Sequence, residues 1–148
     1  MGGRWNPWRE LRGRPWLRLL FAQLDCPAFI EQCDDETRLV VLDARLDRRA
    51  RRCALAHELV HDERGVLFPP GAPLGLIDKE ELAVERTVAA RLVPERELSA
   101  FVARVRGLGE AVTAGLVGDE FDVTVEVATV ALRSLTPDDG DQCADWQL

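Results

Sequence analysis

The chain's only two histidines, His57 and His61, lie four residues apart, and Glu58 directly follows the first of them. Residues four apart on an α-helix point in nearly the same direction, about one turn apart. The spacing therefore predicts a helix with both imidazoles on one face, where their nitrogens can bind one zinc ion. Glu58 lies about 100° further round such a helix, where its carboxylate can take a proton from zinc-bound water. The alternative is a solvated helix in which the two histidines have this spacing by chance and bind no metal.

The residues before this motif have the pattern of β-strands. Residues 37–42 form the clearest strand, because β-branched and apolar side chains run together up to Asp43. Residues 15–23 and 28–30 predict two more strands, although a short helix also suits the first of these segments. Short turns join the three, so we expect an antiparallel meander.

Helix signals dominate the rest of the chain. Asp47 is a suitable N-cap for a helix that runs to about Glu63, and Gly65 is placed to end it. Further helices are predicted over residues 78–92, 94–106, 110–117 and 124–135, the last of which is rich in β-branched residues that also suit a strand. We therefore expect an α+β protein. Its small three-stranded antiparallel sheet would pack on the helix that carries the His-Glu-x-x-His motif and on a following glutamate-bearing helix.

A catalytic zinc usually has three protein ligands, so two histidines are not enough. The chain has no third histidine, and its four cysteines lack paired zinc spacing. Glu80, Glu81 and Glu85 on the following helix are the remaining candidates. Glu81 and Glu85 share a face, so one can bind the metal while the other hydrogen-bonds a ligand imidazole. We favour Glu81 as the ligand, with Glu80 as the rival.

Two segments resemble the ImmA/IrrE-type metallo-endopeptidases. Residues 51–61 read RRCALAHELVH, similar to the basic and apolar run that leads into His-Glu-Leu-x-His in that family. Residues 81–94 read ELAVERTVAARLVP, similar to its second signature, an acidic ligand and an Ala-rich helix that ends in Leu-x-Pro. Glu85 and Val84 depart from the family's usual Asp or Asn and Ala. The resemblance covers about residues 36–135 and is weak outside the two signatures.

By position, the resemblance implies that His57, His61 and Glu81 bind the metal and that Glu58 is the catalytic base. Glu85 would then support a ligand imidazole. The metal would be zinc, with manganese possible. The implied domains are a minimal zinc-peptidase domain over residues 1–106 and a C-terminal extension over 107–136, helical and helix-turn-helix-like. An acidic, flexible tail would follow over 137–148.

Charge and hydropathy narrow the possible partners. The formal net charge is −7, and most of the excess acid lies after residue 64, which disfavours broad contact with nucleic acid. A basic cluster at residues 45–52 is either a solvated helix face or a docking surface for an acidic substrate segment. No apolar run approaches the ~20 residues of a membrane span, and the N-terminal residues lack a signal-peptide pattern, so we expect a cytoplasmic protein without membrane contact.

The expected activity is zinc-dependent endoproteolysis. The resemblance implies a protein substrate, a helix-turn-helix transcriptional repressor or an antitoxin. Arg64 and Arg91 are candidates for stabilising the oxyanion, because the chain has no tyrosine and no spare histidine. The alternative function is a non-catalytic, metal-containing protein that sequesters a regulator. A third possibility, DNA binding through the C-terminal helices, is disfavoured by their acidic surroundings.

Overall fold

The computed structural model describes residues 3–66 and 68–135. Its α+β class confirms the sequence-based prediction. In chain order the elements are α1 (Pro7–Arg12), β1 (Leu17–Ala22), β2 (Ala28–Gln32), β3 (Arg38–Asp43), α2 (Arg48–Arg64), α3 (Leu74–Leu92), α4 (Glu95–Gly107), α5 (Ala114–Phe121) and α6 (Val125–Leu135).

The three strands form a mixed sheet in the order β1-β3-β2. β2 and β3 pair antiparallel across a short turn, as expected. β1 instead pairs parallel with the other edge of β3, from Leu17 opposite Arg38 to Ala22 opposite Asp43. The predicted all-antiparallel meander is therefore wrong.

The central position of β3 explains this arrangement. Residues 40–43 of β3 are all buried, whereas β1 buries only Leu17 fully and β2 has no fully buried residue. A strand covered on both faces is best placed between two neighbours. The five-residue link between β1 and β2 can extend to about 17 Å, and neighbouring strands lie about 4.8 Å apart. The link is therefore long enough to span the gap between β1 and β2, which β3 occupies.

The helix ends follow local capping chemistry with some shifts in position. α1 was not predicted, although Asn6 caps it by accepting hydrogen bonds from two backbone amides and Pro7 occupies its first turn. α3 begins at Leu74, four residues before the predicted start at residue 78. α5 begins at Ala114 instead of residue 110, because Thr113 is its N-cap. The segment that also suited a strand is the helix α6.

α2 lies between the sheet and the other helices. Leu55 and Leu59 point to the sheet side, where they join a buried cluster with Leu17, Val40 and Leu42. The other side of α2, including Ala56 and Val60, joins a larger cluster with α3, α4, α5 and α6. α2 is thus held on two faces, which fixes the orientation of the side chains along its remaining edge.

The helices after residue 106 share their hydrophobic cluster with α2 and α3, through residues such as Val117, Phe121 and Ala128. The proposed domain boundary at residue 106 and the helix-turn-helix-like character of the extension stay predictions. The predicted acidic tail over 137–148 lies outside the described residues. Within the described ranges, every helix falls short of the combined length and apolarity needed to cross a membrane.

Candidate metal centre

The capped helix α2 positions both histidines. The Asp47 carboxylate accepts a hydrogen bond from the Ala50 amide at 2.8 Å, which begins the helix as predicted. Gly65 ends it in the left-handed conformation, with φ of 63°. His57 and His61 lie one turn apart between these caps, with their ring centroids 4.7 Å apart. Their Nε2 atoms lie 3.0 Å from each other.

Glu81 of α3 completes a group of three possible metal donors. Its Oε2 lies 3.0 Å from His57 Nε2, and its Oε1 lies 3.1 Å from His61 Nε2. Donor atoms around a tetrahedral zinc ion, with bonds of about 2.0–2.1 Å, lie about 3.3 Å apart. One ligand atom from each of the three side chains lies within 4.8 Å of the others, which is close enough to hold one ion after side-chain adjustment. The set of two imidazoles and one carboxylate also suits zinc chemically.

The environment of His61 favours the protonation state that a metal needs. Burial of the ring lowers the pKa of His61, and the neighbouring His57 lowers it further. A metal ion binds only the neutral imidazole, so a depressed pKa reduces the competition from protons.

Glu80, the rival ligand, has another partner. Its carboxylate pairs with the Arg64 guanidinium, with Nη2 to Oε2 at 2.8 Å and a second, closer contact from Nε. This hydrogen bonding lowers the pKa of Glu80 below its ordinary value. The ion pair joins the last turn of α2 to α3 next to Glu81, so Glu80 is placed to hold the two ligand-bearing helices together.

Glu58 is buried beside the donors, with 5% of its surface exposed. Burial, together with the negative charge of Glu81, raises the pKa of Glu58 to about 7. A divalent cation among the three donors would favour the charged form again. Glu58 thus has the position and the chemistry of a proton acceptor next to the candidate metal position.

Glu85 is exposed on α3, one turn after Glu81. Among the described residues, no hydrogen bond joins Glu85 to either imidazole, so the structure does not place it where the sequence pattern suggested. Instead, Glu85 lines a cavity on the side of His57 and Glu58 that faces α6.

Residues that local patterns did not single out hold the end of α2 in place. Arg14 is buried and donates to the Leu59 carbonyl at 2.8 Å and to Asp62 at 3.0 Å. Arg38 of β3 donates to the other oxygen of Asp62 at 3.0 Å. Asp62 directly follows His61, so this network fixes the turn that carries the second imidazole. Its members lie far apart along the chain, and no short motif could reveal them.

The arginines of the basic cluster are largely used within the fold. Arg48 forms a two-point ion pair with Asp122, at 2.8 and 2.9 Å, and Arg49 pairs with Asp119 at 3.0 Å. Arg52 donates to the backbone carbonyl of Asp122 at 2.7 Å. These contacts fasten the turn between α5 and α6 to the start of α2. Acids of the same chain therefore neutralise Arg48 and Arg49, whereas Arg52 keeps its charge because its acceptor is a carbonyl.

The candidate oxyanion arginines are also paired. Arg91 contacts Glu63 at 2.6 and 2.8 Å, and Arg64 is bound to Glu80. Among the described residues, Arg38 is the one arginine that lines the cavity containing His57, His61, Glu58 and Glu81. Sequence patterns gave no reason to select it.

The cavity at the donors has a volume of about 330 Å³ and lies between α2, α3 and strand β2. Residues 28–32 of β2 form one wall, and Val66 and Phe68, from the segment after α2, lie on its rim.

In comparisons with protein-family models, with curated proteins and with solved structures, this chain had no match. The geometry of this cavity and its side chains is therefore the basis for inferring a function.

Proposed function

We propose that this protein is a zinc-dependent endopeptidase that cleaves a peptide bond in a specific protein partner. One observation carries the proposal: His57, His61 and Glu81 lie within 3.0–3.1 Å of one another, pair by pair, and the buried carboxylate of Glu58 lines the same cavity. A structural zinc site has no need of a second carboxylate that does not bind the metal, and it is usually closed by protein ligands. Three donors beside an open cavity leave a position for water and substrate.

A bound zinc ion would lower the pKa of its water and polarise the scissile carbonyl. Glu58 accepts the proton of the attacking water on its carboxylate and then donates it to the leaving amine. The buried carboxylate of Glu58 lines the cavity beside the three donors, where it is placed for both proton transfers. Glu81 and the two histidines would hold the zinc ion next to Glu58.

Strand β2 offers a way to align the substrate. It occupies one end of the three-stranded sheet, so one of its edges has no neighbouring strand among the described residues. An extended peptide can add to such an edge through backbone hydrogen bonds. Because β2 forms a wall of the cavity, a peptide bound in this way passes the three donors and Glu58.

The proposed partner is a helix-turn-helix repressor or an antitoxin, on the strength of the two ImmA/IrrE-like segments. A partner of this kind would place the protein in the cytoplasm. The pair of helices α5 and α6, predicted to be helix-turn-helix-like, serves in this proposal as a packing element. Two of its acidic residues, Asp119 and Asp122, already neutralise arginines of α2, and further exposed acids disfavour contact with DNA phosphates.

The test compares the wild-type protein with Glu58→Gln and with Glu95→Gln, an exposed control on α4. Each is loaded with zinc and incubated with any repressor-like protein that is encoded beside it, and fragments are identified by mass spectrometry. Loss of the general base is expected to slow cleavage about 10²- to 10⁴-fold while zinc stays bound. The control is expected to cleave at the wild-type rate.

Cleavage by Glu58→Gln at the wild-type rate would exclude the proposed base. A partner that binds but stays intact with every zinc-loaded form would instead favour the sequestering function.

A further inference from the structure

A second and larger cavity adjoins the metal centre. Its volume is about 600 Å³, and it lies between α2, α3, α6 and the start of β2. His57 and Glu58 line both cavities. A group that enters the second cavity therefore lies directly beside the position where the proposed hydrolysis takes place.

The walls of this cavity are mostly small or apolar. They include Ala50 and Ala54 of α2, Val88 of α3, and Val127 and Val130 of α6. Small side chains along one helix and valines along the two facing helices leave a slot with little polar surface. Such a slot suits the methylene stem of a long side chain.

Three carboxylates are the charged exceptions in these walls. Besides Glu58, the charged residues that line the cavity are Glu85 and Glu126, which are exposed on α3 and α6. Neither forms a hydrogen bond or an ion pair with a described residue, in contrast to Asp119 and Asp122 at the end of α5. No described arginine or lysine lines the cavity. Its negative charge is therefore available to a ligand.

We propose that this cavity receives the substrate side chain next to the scissile bond and selects lysine or arginine at that position. The inference rests on the proposed function, because the metal centre defines where the scissile bond lies. A long basic side chain places its apolar stem against the alanines and valines and its cationic end near Glu85 and Glu126. An acidic side chain is repelled, and a purely apolar one fills the slot but desolvates carboxylates that it cannot pair.

This role also accounts for Glu85, which forms no hydrogen bond with either imidazole. It becomes a specificity-determining residue on the helix that carries the proposed ligand Glu81. Glu126 reaches the same cavity from α6, so the C-terminal helices contribute to substrate choice as well as to packing.

The test uses two zinc-binding hydroxamate probes that carry either a lysine-type side chain or a norleucine-type side chain, which has the same four-carbon stem without the ammonium group. Binding to the zinc-loaded full chain is measured by calorimetry, with acetohydroxamate as a probe that has no side chain. The lysine-type probe is expected to bind about tenfold more tightly than its neutral counterpart. This preference is expected to disappear in Glu85→Gln/Glu126→Gln. It should persist in Asp78→Asn/Glu110→Gln, which removes the same formal charge elsewhere.

A blocking variant, Ala50→Phe, tests whether the side chains enter this cavity. It is expected to weaken both side-chain probes by about tenfold or more and to leave acetohydroxamate binding unchanged. Equal binding of the charged and neutral probes, or a preference that survives Glu85→Gln/Glu126→Gln, would overturn the inference while the metal centre stands. Failure of acetohydroxamate to bind zinc-loaded protein would overturn the proposed function and this inference with it.

Discussion

The assignment of Glu81 as a metal ligand can be tested against its neighbour in the sequence. Glu80 and Glu81 are adjacent on α3, yet Glu81 lies 3.0 and 3.1 Å from the two imidazoles whereas Glu80 is bound to Arg64. Replacing each glutamate by glutamine keeps the size and hydrogen-bonding capacity of the side chain and removes its charge. Only Glu81→Gln is expected to weaken zinc binding severely.

The expected magnitudes follow from the two environments. Loss of a hydrogen-bond partner behind a metal ligand typically costs 10- to 100-fold in affinity, so loss of a ligand is expected to cost at least about 100-fold, or about 2.8 kcal/mol. Glu80→Gln breaks a partly exposed ion pair, and such pairs contribute about 0.2–1 kcal/mol. Its effect on zinc affinity is therefore expected to stay below about fivefold.

Both variants and the wild-type protein are stripped with a chelator and titrated with zinc against a competing indicator of known affinity. Circular dichroism of the apo forms checks that neither substitution unfolds the chain. Wild-type zinc affinity in Glu81→Gln, or a 100-fold loss in Glu80→Gln, would refute the assignment.

Three further predictions concern stability. Zinc at about 100 times its dissociation constant is expected to stabilise the folded protein by about 2.7 kcal/mol, and calorimetric scans with and without the metal should show a higher Tm that is absent in His61→Ala. Asp62→Ala removes a buried acceptor that Arg14 and Arg38 share, while Arg14 keeps Glu63 and the Leu59 carbonyl, so we expect a cost of about 1–3 kcal/mol in urea unfolding, and unchanged stability would contradict that network. In Gly118→Ala, the new Cβ would lie 2.9 Å from the Val123 carbonyl oxygen, so we expect a loss of about 1–3 kcal/mol. Gly115→Ala on the same helix meets nothing closer than 3.7 Å and should instead stabilise by about 0.5–1 kcal/mol; equal effects of the two substitutions would refute the steric argument.

Features with a local cause could be predicted from the sequence. The Asp47 cap, the Gly65 end of α2 and the shared face of His57 and His61 depend on residues within one or two turns of each other. The structure has all three. The same holds for the β2–β3 hairpin, whose turn is closed by the Asp34 carboxylate accepting from two backbone amides.

Features set by distant contacts could not be predicted. β1 pairs with the second edge of β3 because β3, the strand that buries both faces, lies at the centre of the sheet. Packing on α2 decides which strand is buried in this way. The choice between Glu80 and Glu81 depends on Arg64, sixteen residues earlier in the chain. The helical state of α6 follows from burial of Ala128, Ala131 and Leu132 on one face, which outweighs the strand preference of its β-branched residues. Each of these outcomes needed the tertiary structure.

The pairing of His57 and His61 has a practical consequence for spectroscopy. Since the chain contains two histidines and both belong to the candidate metal centre, every imidazole signal in its NMR spectrum reports on that one place. Four ring nitrogens, observed without background, would give the tautomer of each ring, the nitrogen that binds an added ion and the rate at which that ion exchanges. The chain thus carries a built-in probe of its own chemistry that requires neither mutation nor label beyond uniform ¹⁵N.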